Sequence, residues 1–463
     1  MTNYTSMMKQ LTRTITVTVA ILGLSAAVHG ETLEEIYQQA LLNDHQFKAA
    51  QAAYAGGQEN LAIGRAGLLP QIGASYQYSR SESTIEPMNG SPGEERTTTS
   101  KILGAELVQP LFDMAAWYNY RRGKSLSNLA EAQFHLAEQD LIIRTAEAYF
   151  EALKAVDNLE TAIAEESALG HQLEQTKQRF EVGLTAITEV HEAQAAYDSS
   201  VALRLTTEGN LGIAFEALEV LTGRPYNQLA PIQDRFPVDK PVPADRHEWV
   251  ELAVQNNFSL NAASLSAEAA KRAAKAQTSQ HLPTVSGRLA YNDTSRDNDL
   301  IGVGVGGQPL FEGEETSIGV TVSLPLFAGG GLSAQRRQAH QQYLQTQEEF
   351  YQAQRDVVQD TRSLYLSVVT SVASVKARQQ AITSSRSALE ATQAGYDVGT
   401  RDLVDVLNAQ RSLYSAQRDY YDALYTYVLN SLRLKAAAGL LSGEDIASLN
   451  QWLDQQNPVT KSS

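Results

Sequence analysis

The stretch Tyr396-Asp397-Val398-Gly399-Thr400-Arg401-Asp402-Leu403-Val404-Asp405-Val406-Leu407-Asn408 decides the fold of this 463-residue chain. Helical sequence runs into Val-Gly, turns, and resumes as helix with a carboxylate in its early turns. A weaker copy stands 216 positions earlier, Phe180-Glu181-Val182-Gly183-Leu184-Thr185-Ala186-Ile187-Thr188-Glu189-Val190, so that Gly183 matches Gly399 and Glu189 matches Asp405. Each reads as the tip of a helical hairpin with an acid near the bend, and Gly183 and Gly399 suit the residue that ends a helix.

Working outward, apolar residues recur every seven positions on the approach to each bend. They are Leu129, Leu136, Ile143 and Phe150 in the first half and Tyr343, Phe350, Val357 and Leu364 in the second, each 214 beyond its counterpart. That is a coiled-coil-type seam. The first such helix starts near Asp113, and the return helix ends at Leu221-Thr222-Gly223. About 60 residues of helix at ~1.5 Å per residue span on the order of 90 Å.

Ahead of each long helix the period changes from 3.6 to 2. Ile72, Ala74, Tyr76 and Tyr78 alternate with polar residues, as do Leu103, Ala105 and Leu107, which predicts a β-hairpin with a tip loop from Ser81 to Thr99. The pattern returns with Val285, Gly287, Leu289 and Tyr291, a loop over roughly 293–314, and Ile318, Val320, Val322 and Leu324. Leu69-Pro70 is matched by Leu282-Pro283, and Pro110-Leu111-Phe112 by Pro325-Leu326-Phe327. The chain therefore divides into repeat 1 over 31–223 and repeat 2 over 261–441. Repeat 1 holds a helix over 31–66, a β-hairpin about 68–110 and a tip near 183. Repeat 2 holds a β-hairpin about 282–327 and a tip near 399. A Pro-rich linker, 224–260, carries a short helix around His247–Asn257, and a short helix with a polar tail fills 442–463.

Lys9 and Arg13 precede the apolar run from Ile15 to Leu24, and small residues follow to Gly30, so 1–30 reads as a secretory signal peptide cleaved after Gly30 or Ala27. Its removal takes the formal charge from −16 to −18. An acidic chain without a basic patch argues against nucleic acid. With no cysteine, thiolate metal sites, disulfides and an N-terminal lipid anchor are excluded. Beyond the signal, no run is long and apolar enough for a transmembrane helix. No catalytic constellation emerges, and no cofactor or metal site is expected. His191-Glu192 lacks the second His of a zinc-protease helix, and the Gly302–Gly307 run lacks the Lys-Ser/Thr of a phosphate loop.

The strands are apolar on one face and polar on the other, and Pro turns separate them from the helices. Apolar-out and polar-in is the pattern of an outer-membrane barrel. Four strands cannot close, and unpaired edges are forbidden in lipid, so three chains supplying twelve strands are expected. The fold class is membrane α+β: a β-barrel with four strands per chain, continuous with a long periplasmic α-helical coiled-coil barrel, built from an internal two-fold repeat.

From Glu31 to about Asn450 the chain resembles the TolC family of trimeric outer-membrane efflux and secretion channels. The resemblance is carried by Leu-Leu-Pro-Gln (68–71), Gln-Pro-Leu-Phe-Asp-Met (109–114), Ala-Tyr-Phe (148–150), Arg-Phe-Glu-Val-Gly-Leu-Thr-Ala-Ile-Thr (179–188), Leu-Thr-Gly (221–223), His-Leu-Pro-Thr (281–284) and Gly-Tyr-Asp-Val-Gly-Thr-Arg (395–401). It implies a homotrimer in outer-membrane lipid, working with a periplasmic adaptor and an inner-membrane pump or ABC transporter. The function implied is a passive exit duct for drugs or proteins, gated at its helical tips. The alternatives are a dedicated type I secretion channel and, from another class, a periplasmic coiled-coil adaptor or structural protein. The resemblance implies a latch in which Arg401 and Tyr396 bond to Thr188 and Glu189 on the neighbouring hairpin. It also implies a lumen ring of acids at Asp405, and adaptor-docking grooves at Val182, Gly183, Leu184, Thr185, Val398, Gly399 and Thr400. Family members of the closest type carry a second acid where this chain has Asn408. Asp402, three residues before Asp405, is either a ring displaced toward the tip or a helix N-terminal residue.

Overall fold

A computed structural model describes residues 30–85, 94–233, 235–301 and 308–461; the expected signal peptide, save Gly30, and the centres of both β-hairpin loops, including Gly302–Gly307, lie outside the described residues. Where one helix was expected over 31–66 there are two, α1 (Leu33–Asn43) and α2 (His45–Ala66). Asp44 makes the break. Its extended backbone leaves α1, and its Oδ1 accepts from the Phe47 amide at 2.6 Å to start α2. Arg144 grips the same carboxylate at 2.9 and 3.2 Å. Burial pushes the Asp44 carboxyl up, but those bonds and the Phe47 amide outweigh it and hold it low.

Strands β1 (Gln71–Ile85) and β2 (Glu94–Phe112) follow. They reach well into the segment expected as loop, because strand sequence that is polar on both faces carries no alternation to read. Then come α3 (Met114–Glu181) and α4 (Ile187–Thr222), and β3 (Gln228–Leu229) lies within the Pro-rich segment. Helices α5 (Arg246–Asn256) and α6 (Phe258–Ser279) meet at Asn257, which caps α6 through the Leu260 amide at 2.9 Å. Asn257 stands 213 positions after Asp44, so α5 is the counterpart of α1. Repeat 2 thus opens at Arg246 rather than 261, and the linker shortens accordingly. The chain continues with β4 (Thr284–Ile301), β5 (Gln308–Ser323), α7 (Gly331–Asp397), α8 (Leu403–Ala437), α9 (Gly443–Asn450) and β6 (Val459–Thr460).

The four long strands form one antiparallel sheet in the order β1-β2-β4-β5. Opposed residues share a face. Ile72, Leu107, Leu289 and Ile318 make one row across all four strands, and Ala74, Ala105, Tyr291 and Thr316 make the next. On this face Ile318 is 87% and Ile72 78% exposed in the single chain. The opposite face is polar, and Arg288 pairs across it with Glu106 at 2.9 Å. The last residue of the unbroken apolar row slips by one pleat per strand, from Tyr78 to Leu103, Tyr291 and Ile318. An apolar band stepping two residues of ~3.3 Å for each ~4.8 Å strand spacing belongs to strands tilted by roughly 50°, the geometry of a closed barrel. Among the described residues the outer edges of β1 and β5 carry no partner strand. Since directions alternate, β5 of one copy can pair antiparallel with β1 of the next.

With 68 and 67 residues, α3 and α7 extend about 100 Å each. The heptad seam is only part of their packing. Leu129, Leu136 and Ile143 are half-buried, whereas Ser125, Ser127, Ala130 and Ala132 are buried against α2 and α6. Small residues let the backbones close up here: a Cβ on Gly57 would lie 2.2 Å from the Ala130 Cβ, and one on Gly123 2.3 Å from the Asn60 carbonyl. The repeats differ where strand passes to helix. Asp113 caps α3 through the Ala116 amide at 2.9 Å, but α7 is entered through Gly329 and Gly330 at φ 61 and 81, with no capping side chain.

The main core is a waist midway along the helices. There Leu33, Ile36, Phe150, Phe215, Trp249 and Val368 are buried together, and β3 pairs with β6 beside them. Tyr149 donates to the Ala230 carbonyl at 2.6 Å, tying α3 to the linker. From the waist toward the tips, α3 and α8 are laced by Arg433–Glu147 (2.7 Å), Lys154–Asp422 (3.0 Å) and Arg418–Glu165 (2.7 Å). Tyr425 donates to Asp157 between them at 2.5 Å. Burial pushes the Asp157 carboxyl up to about 7, the Tyr425 bond pulls it down in part, and Glu160 adds to the rise.

Two expectations follow. Ile318→Lys places a charge on the lipid-facing row, a cost of ~2–4 kcal/mol near mid-membrane, and should abolish outer-membrane trimers while Ser317→Lys on the polar face leaves them, as read by membrane fractionation. A carboxyl whose folded pKa is raised contributes least above that pKa, so wild-type stability should fall as pH rises from about 4 to 7 on account of Asp157. Asp157→Asn should remove this component and melt higher than wild type at pH 8 but not at pH 4.

Candidate functional site

Both tips share one backbone design. Gly183 donates to the Phe180 carbonyl at 2.9 Å and Leu184 to that of Arg179 at 2.8 Å; Gly399 donates to Tyr396 at 3.0 Å and Thr400 to Gly395 at 2.8 Å. This double closure turns on a left-handed residue, and Gly183 and Gly399 have φ of 74 and 76. Glu189 and Asp405 are each the third residue of the returning helix, at the positive end of its dipole. The equivalence read from spacing is therefore structural.

The caps differ. Asp402 accepts from the Asp405 amide at 2.9 Å, whereas Ala186 offers α4 no side-chain cap. Asp402 has φ −96 and ψ 169, the extended backbone of an N-cap residue at the start of α8. Its helix-capping role is the one seen. Asp405 is engaged too: Arg401 Nη1 lies 3.2 Å from its Oδ2, with the side chains 61% and 41% exposed. Among the hydrogen bonds of the described residues, Arg401 pairs with Asp405 and not with Thr188 or Glu189 of the same chain. An exposed pair of this kind is worth only ~0–1 kcal/mol and leaves Arg401 available to other acceptors. Asn408 lies exposed beyond Asp405 on α8.

What the fold does bring together is Tyr396 and Glu189, the phenol donating to Oε2 at 3.3 Å. Tyr396 is 4% exposed, set in an apolar patch with Leu173, Ala193, Leu403, Val406 and Leu407. Burial and then the Glu189 carboxylate raise its phenol above the usual value, so it stays a protonated donor. One contributor was missed in the sequence: the Arg179 guanidinium lies 4.8 Å from the Tyr396 ring centroid. Arg179 sits inside the quoted Arg-Phe-Glu-Val-Gly run, where a cation in the last helical turn is already accounted for by the dipole.

Val182, Leu184 and Val398 project from the bends, 70, 70 and 75% exposed, and a Cβ on Gly183 or Gly399 would meet nothing within 4 Å. Thr185 is half-buried, and Thr400 Oγ1 donates back to Gly395 at 3.0 Å. These tips offer apolar surface and open backbone. Among the described residues no helix is long and apolar enough to cross a membrane.

The family described as "Outer membrane efflux protein" matches residues 36–224 and 249–440. The chain is 38% identical to the outer membrane protein TolC of Vibrio cholerae over 94% of its own length and 97% of that protein's. It is 30% identical to the alkaline protease secretion protein AprF of Pseudomonas aeruginosa, over 89 and 85%. The crystal structure of CusC superposes with a TM-score of 0.76 at 16% identity, over 89% of this chain and 94% of that one.

The cap can be separated from charge. Asp402→Ala should destabilise the second tip by about 0.5–2 kcal/mol while Asp402→Asn holds it, measured as hydrogen exchange in the first turn of α8.

Proposed function

We propose that this chain, which belongs to the outer membrane efflux protein family, closes in threes into a duct whose periplasmic end is held shut by its own hairpin tips. Membership places it in the outer membrane of a Gram-negative bacterium, extending into the periplasm, as a non-enzymatic exit duct for efflux and secretion. The observation that carries the trimer is the open, tilted four-stranded sheet, apolar outside and polar inside, with two unpaired edges. Three copies give twelve strands and a water-filled lumen.

The buried Tyr396–Glu189 contact supports the latch reading. It joins the two hairpins of a subunit, while exposed Arg401 and Thr188 are placed to bond between subunits. Such charge-assisted links are worth ~1–3 kcal/mol per subunit when partly desolvated, and threefold repetition biases the closed state. Asp405 would form a ring of three acids around the axis, favouring cations in a narrow constriction. With Asn408 in place of a second acid and Asp402 committed to its helix, that ring is a single one. The exposed Val-Gly bends suit the hairpin ends of a periplasmic adaptor, through which an inner-membrane pump or ABC transporter would supply the energy.

The similarity to a protease secretion protein favours a second reading, a duct dedicated to one secreted protein. Loss of the gene should raise sensitivity to drugs if the duct is general, and should abolish secretion of one protein alone if it is dedicated. Glu189→Ala, and separately Arg401→Ala, should raise the conductance of trimers in planar bilayers several-fold; wild-type conductance in both would overturn the gate.

A further inference from the structure

We infer that Arg179 is a positioning residue of the gate, clamping the Tyr396 ring so that its hydroxyl stays on Glu189. The inference rests on the gate reading above and adds a residue to it. Arg179 ends α3, Glu189 opens α4 and Tyr396 ends α7, so the first hairpin reaches the second through a cation on one helix and an anion on the other. The guanidinium lies over the ring at 4.8 Å, while the carboxylate takes the hydroxyl at 3.3 Å. A ring attracts a cation at its face and presents its O–H at its edge, so the two contacts use different parts of one side chain and do not compete. The ring is 4% exposed, and the attraction acts with little screening there.

Arg179 is not held in place by bonds of its own. Its Nε–H is buried without an acceptor. A buried guanidinium donor left unpaired is unfavourable unless something else fixes the side chain. Here that is the ring. The cation favours ionisation of the phenol and so works against burial and Glu189, which prevail and keep the hydroxyl protonated. Removing Arg179 therefore frees the ring to turn off Glu189 without removing any atom of the hydrogen bond itself. The clamp predicts dependence on charge and on an aromatic ring, not on bulk.

The test uses full-length trimers in planar bilayers, with resistance of the trimer to heat in detergent as the check on folding. Arg179→Met, which keeps bulk without charge, should shift the open-to-closed ratio roughly threefold per subunit, and Arg179→Lys should restore most of the closure. In a Tyr396→Phe background, which keeps the ring and loses the hydroxyl, Arg179→Met should open the duct little further. In a Tyr396→Leu background it should change nothing. Wild-type conductance of Arg179→Met beside a raised Glu189→Ala overturns the clamp and leaves the gate. An equal effect of Arg179→Met in the Tyr396→Leu background also overturns it, since Arg179 then acts elsewhere. Unchanged conductance in both Glu189→Ala and Arg179→Met defeats gate and clamp together.

Discussion

A backbone amide or carbonyl in hydrocarbon must find its partner within protein, because no water is there to supply one. The rest of this molecule depends on that constraint. One chain satisfies three of the four strand pairings a closed wall needs per repeat unit and leaves the edges of β1 and β5 bare. The missing pairing comes from another copy in the proposed assembly, and rotational symmetry then passes down the helices to the tips. Each tip residue thereby acts in triplicate, so a contact weak in one subunit bears on the whole aperture.

Between wall and tips the interactions grow sparser. At the waist Glu31, the linker and the C-terminal strand are bound together beside a continuous core. Farther down, α3 and α8 are joined by ion pairs, and the last patch around Tyr396 is small. Local opening is easiest where few apolar contacts must be lost. A movable end on a fixed waist is therefore what the distribution of burial provides.

The duplication, the apolar-out strands and the long hairpins were legible because each repeats a period over many residues. Where a single side chain decides, the reading failed. Asp44 broke a helix that the pattern 31–66 carried through, whereas the matching break at Asn257 agrees with the short helix read around His247–Asn257. Polar strand beyond the membrane band looked like loop because alternation needs one apolar face. At the tips, Tyr396 and Glu189 lie 207 positions apart yet were paired by resemblance, and the fold joins them. Arg401 and Asp405 were assigned to different neighbours, but four positions across a helix start bring them to each other. Arg179 was invisible because its meaning lies in a ring on another helix.

The entrances to the two hairpins differ, Asp113 fastening one and Gly329-Gly330 leaving the other free of caps. The consequence is leverage. A helix of 67 residues is an arm of about 100 Å, so each degree of swivel at its glycine root is worth roughly 1.7 Å at the far end. An aperture can thus be altered by several ångströms while the wall in the membrane barely strains, and the duct's width is set by torsions a long way from its narrowest point.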